Sequence, residues 1–531
     1  MILILPIIGL LFTPLLVVIL QRWRPKSGLT WLVSAIIALL SWLVVLLSRL
    51  QVPERISFGF GQASFSFPFT LAFVLDKISW PFALALMASL VAFMLTSVTQ
   101  LSDSGRIPQN WPVWPAALFF AGLSLFALVS GNLYTLLLAW AAIDLGWLLL
   151  KLVGDSPRQD IQFGFALRVF GLFWAIAAAF SQPGGVLQTF PIINLQTNTL
   201  LFIAAMIRLI GIIPASSPLP GKYPWQGLNI YLDLVLFSTA SIIFVRTAST
   251  GISAQISPFI LAATAITGLV CSFIWIFTSS NPGSWQTLLV GFTTFSIAGS
   301  ILSGFEASLA WSIALMLAGS LVFFCNYTTW LIKGLIALGL VGIIGLPFTP
   351  AWQGIRIFPL PGQAFDQGAW WILFLVAQSL FLGGYLRAWF ITRQPFSESE
   401  RWSGIVYPAG LFLLPITQVI ILIWGLPGLS NDLQAFPALI LTWAPLASLG
   451  LTLIILWTLK RTAKIEPRFL EIFRKVSVLE WLYRVGKTMH LFGSQVVKII
   501  DQILEGEAGI LWTILFLLLL FALLISLNIR G

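Results

Sequence analysis

Charge is what this sequence has least of. Of its 531 residues only 9% are Asp, Glu, Lys or Arg, where a soluble globular chain carries about 25%. So little charge cannot solvate the surface of a chain this long, which excludes a string of soluble domains. Histidine occurs once, at His490, so a multi-histidine metal or haem site is excluded. The two cysteines, Cys271 and Cys325, lie inside apolar runs and read as small packing residues, with no disulfide framework or thiolate site implied. There is no Gly-rich phosphate loop, nucleophile elbow or metal-ligand cluster. Direct catalysis is therefore rejected, and no cofactor is expected in this chain.

Hydrophobicity is abundant. Apolar residues make up 59% of the chain, with 24 Trp and 43 Phe, a composition suited to lipid-facing surfaces and interfacial belts. The net charge of +10 does not point to nucleic acid, because the basic residues are dispersed in loops between apolar runs. A span needs about 20 apolar residues to cross a core of about 30 Å. That rule places spans near 2–20, 29–48, 77–98, 112–130, 132–152, 162–181, 197–215, 228–246, 256–278, 285–303, 308–325, 329–346, 369–391, 404–427, 436–458 and 509–528. The fold class is an all-α polytopic membrane protein of about 14–16 transmembrane helices.

Orientation follows from Lys and Arg. With the N-terminus outside, the cytoplasmic loops and span ends hold 19 basic residues and the opposite side six, as the positive-inside rule requires. The expected location is a bacterial or archaeal cytoplasmic membrane. Met1 opens directly into an apolar run, and the basic cluster Arg22, Arg24, Lys26 follows it, the reverse of a signal peptide.

Two spans carry breaks. The seventh ends in Pro214, Pro218 and Pro220, the twelfth in Gly345-Leu-Pro347-Phe-Thr-Pro350. Proline removes a donor and clashes with the preceding turn, so helix should unwind there. Unwound backbone at membrane depth needs protein or a polar cavity around it, and paired breaks suggest repeats of the kind found in secondary transporters. Between 460 and 508, nine basic and six acidic residues alternate with apolar residues at steps of three and four. That pattern reads as an amphipathic helix lying along a membrane or a partner.

Several stretches resemble, in order, the antiporter-like subunits of complex I and the Mrp cation–proton antiporters. Leu75-Asp76-Lys77-Ile-Ser79 resembles their Asp-x-Leu-Ser, and Asn132 to Trp140 their fifth span. Leu167-Arg168-Val169 resembles Asn-Arg-Val-Gly-Asp, and Pro214 to Pro220 resembles Pro-x-His-x-Trp-Leu-Pro. Gly291 to Gly299 is similar to Ala-Tyr-Ser-Ser-Ile-Ser-Gln-Leu-Gly. Gly345-Leu-Pro347-Phe-Thr349 resembles Gly-Leu-Pro-x-Thr, and Tyr385-Leu-Arg387 a following Tyr-x-Arg. The resemblance covers about residues 70 to 390. It implies fourteen core helices with two inverted five-helix repeats, often followed by a lateral amphipathic helix and a last span. The corresponding segments are 1–110 for spans one to three, 111–250 and 251–400 for the repeats, 401–459 for spans fourteen and fifteen, 460–508 for the lateral segment and 509–531 for the last span. It also implies coupling of proton or cation movement to a larger assembly, along buried Glu, Lys and His residues.

On those ion-path positions the sequence departs from the family. The glutamate after the fifth-span tryptophan is Ala141, with Asp144 one turn on; the seventh-span lysine is Leu209, beside Arg208; the histidine is Ser216; the residue past the second break is Ile355, beside Arg356. The eleventh span has no Lys or His. Arginine does not readily release its proton, so the family's continuous wire is absent and the path is expected to be broken or rerouted. The remaining ion-path candidates are Asp144, Arg208, Asp233, Lys333 and Arg356, with Arg168 and Arg387 as structural charges. Asp144 and Arg208 read as a buried pair, a fixed brace in preference to a proton site, while Asp233 stands open between the two roles. Lys151, Arg246, Glu306 and Lys333, near span ends, are expected to reach the interface, the basic ones by snorkelling.

Two functions compete. One is a membrane subunit of a complex I-like, Mrp-like or membrane-hydrogenase-like assembly, non-catalytic itself and partnered by other membrane subunits and the bilayer. Flavin, clusters and quinone chemistry would then belong to other chains. The other is a stand-alone secondary transporter using the broken helices as a substrate site.

Overall fold

The structure, a computed structural model, describes residues 4–23, 28–60, 69–98, 112–153, 158–182, 190, 194–212, 225–278, 284–325, 327, 329–347, 349–359, 370–390, 401–424, 443–462 and 488. The chain divides into two units, Met1–Glu471 and Ile472–Gly531. Most of the lateral segment and all of the last span expected at 509–528 lie outside the described residues.

In the first unit, fifteen helices match the first fifteen expected spans one for one. They are α1 Ile4–Trp23, α2 Leu29–Leu47, α3 Ser79–Thr96, α4 Val113–Leu128, α5 Leu133–Val153, α6 Arg158–Phe180, α7 Leu195–Ile210 and α8 Trp225–Thr247. The others are α9 Ser257–Thr278, α10 Trp285–Leu302, α11 Phe305–Phe324, α12 Trp330–Ile344, α13 Trp370–Phe390, α14 Arg401–Trp424 and α15 Trp443–Thr462. Among the described residues eleven are long and apolar enough to cross a membrane. The chain is an all-α polytopic membrane protein. Apolar side chains dominate these helices because lipid and protein neighbours alike accept them, while backbone groups within each helix are satisfied internally.

Three helices form the centre. α3, α8 and α11 are almost wholly buried, whereas α1, α2, α5, α6 and α14 have less than half of their apolar stretch buried, the rest facing what would be lipid or neighbouring protein. Stacking of Phe93 on Tyr231, with centroids 5.9 Å apart, joins α3 to α8. Around this centre α4–α8 pack among themselves, and α9–α13 do the same.

The expected break in the twelfth span is present. α12 has 15 residues, which rise only about 23 Å, short of the core thickness. Gly345 ends it in the left-handed region at φ 82°, a conformation glycine adopts without penalty. A buried 3₁₀ segment, Pro350–Ile357, continues the chain. α7 is likewise short, at 16 residues, and Pro214, Pro218 and Pro220 beyond it lie outside the described residues.

Between the second and third spans the chain forms a β-hairpin. Strands β1 Glu54–Phe60 and β2 Phe69–Leu75 pair antiparallel, Glu54 opposite Leu75. The hairpin docks on the tight joint between α4 and α5. There Gly131 N donates to Ala72 O at 2.7 Å, and the Asn132 amide to Thr70 O at 2.9 Å.

Candidate functional site

Four helices send ionisable side chains into one buried column in the N-terminal half. α5 carries Trp140, Asp144, Trp147 and Lys151 at steps of four, three and four residues, which stacks them on one face. All four are buried. Eleven residues of helix rise about 16 Å, roughly half the hydrocarbon core.

Arg208 of α7 grips Asp144 with both arms of its fork, Nη1 donating to Oδ2 at 2.6 Å and Nη2 to Oδ1 at 3.0 Å. Its guanidinium carbon lies 4.3 Å from the centroid of a Trp140 ring. Arg168 of α6 stacks on Trp147 at 3.6 Å. Its Nη1 is 3.9 Å from Asp144 Oδ1, and its Nε donates to Gly164 O at 3.2 Å. The column thus alternates aromatic and charged side chains, each arginine lying over an indole face, an arrangement attractive in low dielectric.

Two glycines let the arginines lie this close. α6 reads Arg168-Val-Phe-Gly171 and α7 reads Arg208-Leu-Ile-Gly211. A Cβ at Gly171 would stand 2.6 Å from Arg208 Cγ, and one at Gly211 would stand 2.9 Å from Arg168 Cγ. Each arginine stem therefore lies over the glycine one turn beyond the other arginine. This reciprocal Arg-x-x-Gly packing explains the tight contact of α6 with α7.

Lys151 overturns an expectation. Instead of snorkelling to the interface it is 2% exposed and turns inward, where Nζ donates to Asn229 Oδ1 at 2.9 Å. Its place on the Asp144–Trp147 face, seven residues after Asp144, decides this over its nearness to the helix end. Asp233, one turn beyond Asn229 on α8, is also buried and within electrostatic reach of both Lys151 and Arg168.

The other candidates do not join the column. Lys333 is exposed on α12, as a span-end lysine should be, and its carbonyl accepts from Trp389 Nε1 at 2.9 Å. Arg356 pairs with Glu306 at 2.7 Å where both are partly exposed. Arg387 donates to Ile276 O at 3.0 Å and ties α13 to the end of α9. Arg246 also turns to backbone, bonding Ser130 O at 2.6 Å and Leu128 O at 3.2 Å beneath the hairpin. Pro347 and Pro350 flank the α12 break, where Gln378 Nε2 reaches the freed Ile344 carbonyl at 3.1 Å.

The C-terminal half fills the matching interior with neutral groups. Ser296 Oγ lies 2.9 Å from Ser308 Oγ and 2.7 Å from Ser312 Oγ. Trp311 donates to Gly354 O at 2.9 Å and packs with Phe292, Phe295 and, through them, Phe381. Ile355 is buried. A five-residue π-helical stretch, Leu315–Gly319, interrupts α11; its Met316 carbonyl accepts from Ser320 and, at 3.3 Å, from Ser89. Among the described residues no three His, Cys, Asp or Glu side chains gather as a metal site.

Solved structures share this fold. The chain resembles a subunit of the Mrp complex from Dietzia sp. with a TM-score of 0.71 and 13% identity over 99% of its own length. It spans 63% of the length of that Mrp chain. A chain of the archaeal membrane-bound sulfane sulfur reductase, a respiratory membrane complex, matches with a TM-score of 0.65 and 14% identity, covering 97% of this chain and 99% of that one. Respiratory complex I from Thermus thermophilus contributes a third match at 0.59 and 15% identity, with 85% and 99% covered. No protein-family model and no curated protein matches the sequence. The fold is that of the antiporter-like subunits of such complexes.

Proposed function

We propose that this chain is a membrane subunit of a complex I-like or Mrp-like assembly that moves protons or cations, and that it serves the assembly as a scaffold whose own proton path is interrupted. The observation that carries this reading is the contrast between the two interiors. In the N-terminal half Asp144 is held by both arms of Arg208, and an arginine that stays charged does not pass a proton on. In the C-terminal half serine hydroxyls and aromatic rings occupy the interior, and neither can serve as a base in a relay. The fold likeness to chains of multi-subunit membrane complexes supports the subunit role. Electron chemistry, of the NADH:quinone oxidoreductase, hydrogenase or related type, would reside in other subunits, and the N-terminus would face outside.

The stand-alone transporter is the weaker reading, because the carbonyl freed at the α12 break is taken by Gln378. Affinity purification of the tagged chain from its host in mild detergent, followed by mass spectrometry, tests the proposal. Recovery of other antiporter-like, quinone-site or hydrogenase-like subunits in fixed stoichiometry is the expected result. An intact chain that purifies alone sinks it.

A further inference from the structure

Three cationic side chains, Lys151, Arg168 and Arg208, share the buried column with two carboxylates, Asp144 and Asp233. The formal balance is one positive charge inside a low-dielectric bundle. A charge left unpaired there is costly enough that it normally finds a counter-charge or a polar cavity. Arg208 and Asp144 neutralise each other through two short hydrogen bonds. Asp233 acts electrostatically on both Lys151 and Arg168. Arg168 shares the Asp144 carboxylate only at 3.9 Å, with no hydrogen bond to it, so its charge is the least compensated of the three.

Arg168 is fully buried, at 0% exposure. A guanidinium has five N–H donors in one plane, and here one is spent, Nε on Gly164 O at 3.2 Å. Among the described residues neither Nη1 nor Nη2 finds a hydrogen-bond acceptor. Trp147 covers a face of the guanidinium at 3.6 Å, so the unspent donors lie along the edge of the plane. Such an edge is shaped to take an acceptor that carries charge. A water molecule would satisfy the donors but leave the positive charge standing. One small monovalent anion answers both.

We infer that the Arg168 edge is a binding site for a small monovalent anion of the halide class, held by the Nη donors and balanced against the column's excess charge. The anion completes the electrostatics of the N-terminal half, and its binding stabilises the folded bundle. The inference is independent of which assembly the chain belongs to.

The test compares melting temperatures of the purified full-length chain in detergent across a titration of chloride against gluconate at constant ionic strength. A ligand that binds only the folded state raises the melting temperature in proportion to the logarithm of its concentration above its dissociation constant. The expected result is a chloride-dependent rise that bromide reproduces, and that is lost in Arg168→Gln, which removes both donors and charge. Should Arg168→Gln fail to fold, Lys151→Met serves, since it brings the column to neutrality and is expected to weaken the chloride response at least tenfold. Bromide placed by anomalous scattering or density within hydrogen-bonding distance of Arg168 Nη would locate the site. Equal melting temperatures in chloride and gluconate would overturn the inference. So would a chloride response unchanged in a folded Arg168→Gln or Lys151→Met chain, since that is a general salt effect.

Discussion

The two halves of the bundle solve the same packing problem with different chemistry. Each gathers helices around a buried interior against the central trio α3, α8 and α11. In the half built from α4–α8 the interior is an ionic column, closed by a bidentate pair and two arginine–indole stacks. In the half built from α9–α13 it is a plug of hydroxyls and aromatic rings. Buried charge is strongly directional, because removing one member strands the others. Neutral packing degrades gradually with lost volume or a lost hydrogen bond. The difference teaches that a shared helical scaffold does not require shared interior chemistry. The fold accommodates buried charged groups in one half and neutral groups at the centre of the other.

That contrast can be broken most severely at Asp144. Asp144→Asn leaves Arg208 and Arg168 without their carboxylate, and stranding a buried charge costs about 3–5 kcal/mol. Loss of most folded protein on size-exclusion chromatography, or a large drop in melting temperature, is the expected outcome. Pairing Asp144→Leu with Arg208→Leu should cost much less than the sum of the single changes, which a double-mutant cycle reads directly. Next in size is the reciprocal glycine packing. Gly171→Ala drives a methyl into the Arg208 stem, 2.6 Å away, and toward Ala204 O at 3.0 Å, and overpacking of this kind costs about 1–3 kcal/mol. A thermal melt of the purified variant checks it. In the neutral half Ser312→Ala removes a hydroxyl bonded to Ser296 and to Ser308 O, for a loss of about 1 kcal/mol. Smallest of all is Glu306→Gln, whose partner Arg356 is partly exposed. Its expected effect is at most about 1 kcal/mol and weakens with salt. A Ser312→Ala loss as large as that of Asp144→Asn would erase the distinction between the halves.

Much of the fold is legible in the residues. Hydropathy alone places fifteen helices, because in a bilayer the length of an apolar run and the existence of a helix are nearly the same constraint. Asp144 and Arg208 can be paired before the structure because the family resemblance puts the fifth and seventh spans in one repeat, and each charge stands inside an apolar run. Gly345 with Pro347 and Pro350 announces the α12 break through backbone chemistry. Lys151 misleads because its nearness to the span end points outward, while its helical face, seven residues from Asp144, holds the opposite and stronger signal. The β-hairpin is concealed because its alternation, as in Glu54, Ile56 and Phe58, is brief and carries few charged pairs to mark it. The glycines at 171 and 211 cannot be assigned at all from one sequence. Their meaning lies in the register of α6 against α7, which only the folded bundle defines.

The proposed scaffold role requires that no continuous proton relay cross this chain. The most direct test reconstitutes the purified protein in potassium-loaded vesicles with a pH-sensitive dye inside, then imposes an inside-negative potential with valinomycin. Proton entry at the rate of protein-free vesicles is the expected result. Entry well above that rate, reduced by Lys151→Met or by the Asp144→Leu and Arg208→Leu pair in chains that remain folded, would contradict it.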